Sequence, residues 1–376
     1  MNTSVIVTAV RGRREKEIFL KLPWRFYRGN PVWVPPMLFD VRAMTDPKRG
    51  DFFKHSDGEF FLARRGGEVV GRIAALHNRK HLEAHPDGAG FFGFFECEDS
   101  LETSGALLIA AEEWLRGRGL KVARGPANFS IQDEAGVLLD GFEYAPMAGM
   151  AYTPPYYRAL LEGAGYGKAK DLHVCRIDRG CWNLEQFERI CMIADRLAPG
   201  VKIREVNMND LPAEAGRMAD VFAEAWKDNW GAQPISQPEF LKYASQYKLF
   251  IDPRLILFAE KDGETLGMIV AIPNMNEIIQ RIDGRLLPFG WWRLLRERKR
   301  VKGIRLFLLG VKQKARLMGL PALFMRRYHE LLMKSDYESL EFSWILEDNK
   351  ETLTLINRVG GQRVQTLRLY EKPLEI

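Results

Sequence analysis

The chain contains 376 residues, which exceeds a typical single domain and suits two domains of roughly 150–200 residues each. Hydrophobic residues account for 46% of the sequence and charged residues for 28%, so the composition excludes a disordered or low-complexity chain. The formal net charge of +6 favours anionic partners. Charge alone does not choose between a phosphorylated small molecule, an acidic lipid and a nucleic acid.

The first half of the chain alternates helices and strands in its predicted elements. A helix that ends in a proline- and tryptophan-rich loop is expected over 14–36. Apolar runs on both sides of Arg65-Gly66-Gly67-Glu68 predict a β-hairpin. The later elements, in chain order, are a strand at "GAGFFGFFECED", a helix at "SLETSGALLIAAEEWLRGRGL", a strand at "KVARGPANFS", a helix at "TPPYYRALLEGAGYGKAKD" and a strand at "LHVCRI".

The second half repeats this order. It begins with a strand and a helix over 201–226, and apolar runs on both sides of Lys261-Asp262-Gly263-Glu264 predict a second hairpin. The remaining predicted elements are a strand at "IRLFLLGV", a helix at "PALFMRRYHELLMKSDY", a strand at "SLEFSWILED", a helix at "NKETLTLINRVGG" and a strand at "RVQTLRLYEK".

Two halves with one element order indicate an internal duplication. We therefore expect an α/β protein with mixed sheets, built from two tandem domains at 1–180 and 201–376 that are joined by a helix within 181–200. The N-terminal segment carries too short an apolar run for a signal peptide, and no window approaches the roughly 18–20 apolar residues of a spanning helix. These features predict a cytoplasmic protein.

The cysteines and histidines do not predict a metal site. The four cysteines form no CxxC pair, and no histidine lies at metal-ligand spacing from them. Reduced thiols are the expected state of Cys97, Cys175, Cys181 and Cys191.

A basic turn between the strand at 304–311 and the helix that follows it is the most specific feature of the sequence. It carries Lys312, Lys314, Arg316 and Gly319. Backbone N–H groups at the start of a helix, together with the helix dipole, form a cradle for anions. Glycine also allows the chain to approach a phosphate closely. The turn therefore predicts a phosphate site, and a basic surface turn that only caps a helix is the alternative.

The turn resembles the signature of the GNAT superfamily of CoA-dependent N-acyltransferases, in which a strand ends in Val and a turn of pattern R/Q-x-x-G-x-G/A opens a helix. Val311 stands five residues before Arg316-Leu317-Met318-Gly319-Leu320-Pro321, and Pro321 occupies a position where Gly or Ala is expected. Further along, Asn349 is followed eleven residues later by Gly360, as the resemblance requires. The resemblance to the GNAT pattern covers about residues 200–376.

Two more positions depart from the pattern. Gly361 replaces an aromatic residue, and Ile356 stands where many such enzymes carry a tyrosine that protonates the leaving thiolate. In the first half the corresponding turn is "SLETSG", which has no arginine and lies among acidic residues that would repel a pyrophosphate. The first half therefore resembles the same fold without its CoA signature.

The resemblance implies an N-acyltransferase that takes acetyl-CoA or a longer acyl-CoA as donor and a primary amine as acceptor, without a metal. A non-catalytic acyl-CoA- or lipid-binding protein on a degenerate GNAT frame is the alternative. The residues that the resemblance assigns to the donor are Leu309, Gly310, Val311, Lys312, Arg316, Leu317, Met318, Gly319, Leu320 and Asn349.

The catalytic and acceptor residues are hypotheses from polar side chains near predicted strand ends. Glu347, Ser343 and Glu134 are the catalytic candidates, because the amine must lose a proton to a base. The alternative for each glutamate is an ordinary solvated or structural role. The alternative for the loop after "KVARG" is that its polar side chains only hold the loop together by internal hydrogen bonds. The acceptor candidates are Asn128, Asp133, Trp226, Asn229, Trp230, Asn274 and Asn276.

A long insertion separates two strands that form a tight hairpin in a minimal GNAT. Its segment Leu286–Arg300 combines aliphatic and aromatic residues with clustered cations, which is typical of an interfacial helix on an anionic membrane. A lid over a long acyl chain and an amphipathic helix packed on the sheet are the alternatives. The chain also resembles the GNAT-like bacterial ceramide synthases, which acylate a long-chain amino base. These features predict peripheral contact with the inner face of a membrane and no nucleic-acid partner.

Overall fold

The computed structural model describes residues 4–375. Its strands are β1 (Ile6–Ala9), β2 (Asp57–Arg65), β3 (Glu68–His77), β4 (Ala89–Cys97), β5 (Val122–Gly125), β6 (Val137–Asp140), β7 (Gly167–Asp178), β8 (Lys202–Glu205), β9 (Ile256–Lys261), β10 (Glu264–Pro273), β11 (Gly303–Val311), β12 (Ser339–Leu346) and β13 (Gln362–Pro373).

The α-helices alternate with these strands along the chain, which confirms the predicted α/β class. They are α1 (Gly12–Lys21), α2 (Pro23–Phe26), α3 (Leu38–Met44), α4 (Arg79–Ala84), α5 (Leu101–Arg116), α6 (Tyr157–Gly163), α7 (Leu184–Leu197), α8 (Leu211–Ala225), α9 (Gln237–Tyr247), α10 (Asn276–Ile279), α11 (Gly290–Glu297), α12 (Leu320–Lys334) and α13 (Lys350–Arg358).

The described chain divides into two compact units. The first unit comprises residues 4–172, 276–295 and 365–375, and the second comprises 173–275 and 296–364. Part of the insertion and the C-terminal part of β13 thus belong to the first unit. The domain limits drawn from the sequence as 1–180 and 201–376 remain a prediction.

The sheet of the first unit runs in the order β1-β2-β3-β4-β5, followed by the C-terminal part of β13. The β2–β3 hairpin pairs Arg65 with Glu68, as the sequence predicts. Strand β4 pairs in parallel with β5, and the C-terminal part of β13 pairs antiparallel with β5. The core lies between this sheet and helices α5 and α6, which bury Leu107, Leu115 and Tyr157 against it.

The sheet of the second unit runs in the order β12-β11-β10-β9-β8. The predicted hairpin is confirmed, since Lys261 pairs with Glu264 across Asp262 and Gly263, both of which have positive φ. Strands β11 and β12 are parallel. Helices α8 and α9 bury Phe222 and Phe240 in a core with residues of β9, β10 and β11.

The helix predicted within 181–200 is present as α7, and it belongs to the second unit. It packs against α12, where Asp195 accepts two hydrogen bonds of 2.8 Å from Arg326. Strand β1 was not predicted, because its short apolar run does not reveal its partner. It pairs with Phe61–Arg64 of β2 at the edge of the sheet.

Candidate functional site

Strands β11 and β12 stop pairing halfway along their length. Their parallel ladder covers only Gly303–Leu306 of β11 and Ser339–Phe342 of β12. The register of β11 against β10 shifts at this level, which leaves Phe307 as the extra residue of a β-bulge. Beyond it, β11 continues to Val311 and β12 to Leu346 without pairing with each other. We call this divergence the second fork; Leu309 and Gly310 lie on its β11 arm.

The basic turn follows directly from that arm of β11. Residues 313–318 form a 3-10 helix, Gly319 adopts the left-handed conformation with φ +69°, and α12 begins at Leu320. Within residues 4–375, the N–H groups of Gly319 and Leu320 donate no hydrogen bond. Pro321 is the second helical residue and has no N–H to satisfy. Two adjacent backbone donors are thus left at the start of α12.

Most of the cations of the turn are neutralised by carboxylates of the same unit. Lys312 is buried and donates to Asp220 at 2.5 Å, and Lys314 is paired with Glu264. Arg316 is exposed, and no ion pair joins it to another described residue. Beside it, Leu317 is 90% exposed, and Met318 is partly buried. The arginine is the cation that the turn leaves available.

Trp226 is a packing residue as well as an acceptor candidate. It stacks on Phe222 with ring centroids 4.5 Å apart. A Cβ added at Gly310 would lie 2.3 Å from its ring, so Gly310 is required for the strand to pass beneath the indole. Asn229 is exposed in the following turn, and Trp230 is partly buried.

The helix after β12 shows why two positions depart from the GNAT pattern together. Asn349 caps α13 by accepting the Thr352 N–H at 3.3 Å. Ile356 is buried, and a Cβ added at Gly361 would lie 2.4 Å from its side chain. An aromatic residue at 361 would therefore clash with the isoleucine that replaces the tyrosine.

A buried polar cluster lies where the second fork opens. The Ser343 hydroxyl donates a hydrogen bond of 2.7 Å to Glu341 and accepts one of 2.9 Å from Arg305. All three side chains are buried, and burial raises the pKa of Glu341. Glu347 lies just beyond β12 and is half-buried. Arg305 was not predicted, although an arginine within the apolar run "GIRLFLLGV" is itself a signal.

The two asparagines predicted after β10 belong to different units. Asn274 is in the second unit, where its backbone N–H donates to Gly303 O at 2.8 Å and its buried Oδ1 has no partner among residues 4–375. Asn276 is in the first unit and donates to Pro146 O at 2.9 Å.

In the first unit, the turn that matches the basic turn is covered by its own carboxylates. Ser100 caps α5 by accepting the Thr103 N–H, and Glu98 accepts a hydrogen bond of 2.7 Å from the Thr103 hydroxyl. Arg65 pairs with both Glu98 and Glu102. The start of α5 is therefore capped by Ser100 and has two carboxylates beside it.

The fork between β4 and β5 is filled by the chain itself. Their parallel ladder ends at Phe91, and Phe94 has φ +49° within a shift of register between β3 and β4. The loop after β5 enters the gap, where Ala127 donates to Phe92 O at 2.8 Å and Asn128 Oδ1 accepts the Phe94 N–H at 2.7 Å. We call this divergence of β4 and β5 the first fork. The loop after β5 supplies hydrogen-bond partners for the backbone of β4 there.

The same loop holds two predicted site residues beside Asn128. Asn128 donates to Glu134 at 3.1 Å, and Asp133 accepts a bond of 2.7 Å from Ser130. Burial raises the pKa of Glu134 to about 7 and that of Asp133 to about 6. Glu134 therefore exchanges its proton near neutral pH, which suits a general base. Of the catalytic candidates, Glu134 belongs to the first unit, and Ser343 and Glu347 to the second.

Residues 4–375 contain neither a metal-binding cluster nor a membrane-spanning helix. No group of three or more His, Cys, Asp or Glu side chains is placed to hold a metal ion. No helix in this range has the length and apolar character needed to cross a membrane.

Comparison with known proteins identifies the family. A protein of Caulobacter vibrioides named bacterial ceramide synthase is 37% identical over 383 residues, which cover 99% of this chain and 98% of that protein. The protein YghO of Escherichia coli is 30% identical over 376 residues, covering 98% of this chain and 95% of YghO. The chain belongs to the family of these two proteins.

The fold of this family member is the tandem GNAT fold. A tandem GNAT protein from the clavulanic acid biosynthesis pathway superposes with a TM-score of 0.58 at 12% identity, covering 99% of both chains. The resemblance predicted from the basic turn is thereby confirmed at the level of the fold. No family model matches the sequence.

Gly93 tests how tightly the loop fills the first fork. A Cβ at residue 93 would lie 2.1 Å from Ala127 O, which is backbone and cannot rotate away. We expect Gly93→Ala to destabilise the protein by about 1–3 kcal/mol in urea unfolding. The matched control is Gly105→Ala in α5, where nothing lies within 4 Å of the added Cβ. It should stabilise the protein by up to about 1 kcal/mol. Equal effects of the two substitutions would contradict the packing described.

The raised pKa of Glu134 predicts a pH dependence of stability. Because the folded pKa of about 7 exceeds the ordinary value of 4.5, the folded state binds the proton more tightly than the unfolded state. The contribution of Glu134 to the free energy of unfolding is therefore fully present below pH 4.5 and is lost as the pH rises through 7. Glu134→Gln should gain stability relative to the parent chain between pH 5 and 8, measured by urea unfolding. A difference that does not change with pH would contradict the assignment.

Proposed function

We propose that the protein is an acyl-CoA-dependent N-acyltransferase that binds its donor in the second unit and acylates a primary amine. The observation that carries the proposal is the second fork together with the basic turn at its end. An unpaired strand edge leads there to two unused backbone donors and an exposed arginine. Membership in the family of a bacterial ceramide synthase supports acyl transfer.

The donor would lie along the second fork with its pyrophosphate at the turn. The N–H groups of Gly319 and Leu320 and the guanidinium of Arg316 supply hydrogen bonds and positive charge suited to a pyrophosphate. The β11 arm from Leu309 to Val311 presents an unpaired edge to the rest of the donor. The acidic cover on α5 and the filled first fork support a single donor site.

The chemistry is an attack of the amine nitrogen on the thioester carbon. The C–N bond forms, the C–S bond breaks and the electron pair leaves with the sulfur, while the amine proton passes to a base. A backbone N–H at the open end of β11 would stabilise the oxyanion. Ser343 and Glu347 of the second unit and Glu134 of the first unit remain the catalytic candidates for the base. Because Ile356 stands where many such enzymes carry a tyrosine, no tyrosine is available at that position to protonate the leaving thiolate.

We propose a long acyl chain and a lipid-like amine as the substrates. The relative's printed name, ceramide synthase, supports this choice, as do the exposed apolar side chains Phe307 at the bulge and Leu317 at the turn. These two residues would contact apolar material beside the donor. A non-catalytic acyl-CoA-binding protein remains the second candidate, and Pro321, Ile356 and Gly361 favour it.

Charge reversal at the turn tests the donor site. Arg316→Glu should weaken CoA binding by about 100-fold or more, since it replaces a charged hydrogen bond by repulsion. Isothermal titration with CoA gives the measurement. The control is Lys202→Glu on the edge strand β8, which makes the same change in net charge and should bind CoA as the parent chain does. Full CoA affinity in the Arg316 variant would overturn the assignment.

Chain length and turnover separate the two candidate functions. Thermal shifts with acetyl-, octanoyl- and palmitoyl-CoA should increase with chain length, because a longer chain buries more apolar surface. With palmitoyl-CoA and a panel of amines, release of free thiol should depend on a long-chain amino base. Binding without thiol release for any amine would favour the non-catalytic protein. Thiol release that is fastest with acetyl-CoA would contradict the long chain.

A further inference from the structure

The first unit exposes large apolar side chains on two segments that are far apart in sequence. Phe39 of α3 is 66% exposed, and Leu287, Phe289 and Trp291 of the insertion are 79%, 75% and 49% exposed. We call these four residues the apolar patch. Single exposed apolar residues are ordinary, whereas several that come from neighbouring segments mark an interaction surface.

Backbone contacts bring these two segments together. Leu38 donates its N–H to Gly284 O at 3.1 Å, directly before Phe39 and three residues before Leu287. Gly284 has φ +65°, and a Cβ there would lie 2.2 Å from Pro36 O. Asp283 also accepts a bond of 2.8 Å from the Trp24 indole. The segment around residue 284 is therefore fixed against the segment that carries Phe39.

A groove of 520 Å³ lies along the same junction. Trp24, Tyr27 and Trp33 form one part of its lining, with Tyr27 stacked on Trp33 at 4.7 Å between ring centroids. Arg28 and Arg285 also line it. Arg28 is exposed, and the Arg285 side chain is 62% exposed although it pairs with Asp283 at 3.2 Å. Aromatic rings with arginines beside them suit the headgroup region of a bilayer.

The charge around the patch is complementary to an anionic lipid surface. The part of the insertion that belongs to the first unit, residues 281–295, carries three basic residues and one acidic residue. Membrane surfaces with anionic lipid attract basic segments that lie close to the surface. A protein partner of the same shape would need a strongly acidic face, whereas a bilayer supplies both the anionic surface and an apolar interior.

We propose that the apolar patch and the groove form a docking surface for an anionic lipid bilayer. Phe39, Leu287, Phe289 and Trp291 enter the boundary between headgroups and acyl chains, and Arg28 and Arg285 contact lipid phosphates. The surface combines Leu286–Leu295, the first-unit part of the amphipathic segment read from the sequence, with a second element from the N-terminal region. The docking is independent of acyl transfer and needs neither donor nor acceptor.

Sedimentation of the full chain with vesicles tests the proposal in the absence of any acyl-CoA or amine. The parent chain should bind vesicles of phosphatidylcholine mixed with phosphatidylglycerol, and bind phosphatidylcholine alone less well. Leu287→Ser combined with Phe289→Ser should weaken binding about tenfold or more, because less apolar surface enters the interface. Arg28→Glu combined with Arg285→Glu should remove the preference for phosphatidylglycerol.

The matched control is Leu101→Ser combined with Ile109→Ser, two residues of α5 that are 63% and 53% exposed. It should bind vesicles as the parent chain does, and thermal unfolding of every variant verifies the fold. The proposal is overturned if the parent chain does not bind anionic vesicles, or if the Leu287 and Phe289 variant binds as well as the control. It is also overturned if light scattering shows a dimer that this variant converts to a monomer, since the patch would then join two copies of the chain.

Discussion

The hydrogen-bonding capacity of a strand edge is the constraint on which the rest of the structure depends. A backbone edge that is paired in a sheet has nothing to offer a ligand, and an edge left open must find another partner. Each unit meets this constraint at the point where its central parallel ladder ends. In the second unit, β11 and β12 diverge after Leu306 and Phe342 and leave the arm of β11 open. In the first, the loop carrying Asn128 supplies the missing partners. The same arrangement of strands therefore contains an open fork in the second unit and a fork filled by the chain in the first.

Charge follows the same division. The second unit neutralises Lys312 and Lys314 with Asp220 and Glu264 and leaves Arg316 exposed at the start of α12. The first unit covers the start of α5 with Glu98 and Glu102, which are held by Arg65. A helix start attracts anions. One of these helix starts therefore remains open to an external anion, while side chains of the chain itself already occupy the other.

Features with a local cause were predictable from the sequence. Both hairpins follow from glycine-containing turns between apolar runs, and the basic turn and α12 follow from one contiguous segment. Asn349 shows the limit of a motif, since its side chain caps α13 and the motif does not state that role. The cluster of Arg305, Ser343 and Glu341 depends on the register between β11 and β12, which only parallel pairing over a long loop decides. Glu134 was a candidate by position, while its raised pKa comes from burial.

By itself, the sequence determined many of the strands and helices in their order, both hairpins and the basic turn that relates the chain to the GNAT superfamily. These features depend on residues that are close along the chain, so local propensity and spacing reveal them. Tertiary structure decided that the C-terminal part of β13 pairs with β5 in the first unit, that the first fork is filled and that Phe39 lies beside the insertion. Each of these outcomes joins segments separated by many residues. Their pairing is selected by packing and hydrogen bonding of the whole unit, which no local pattern in the sequence records.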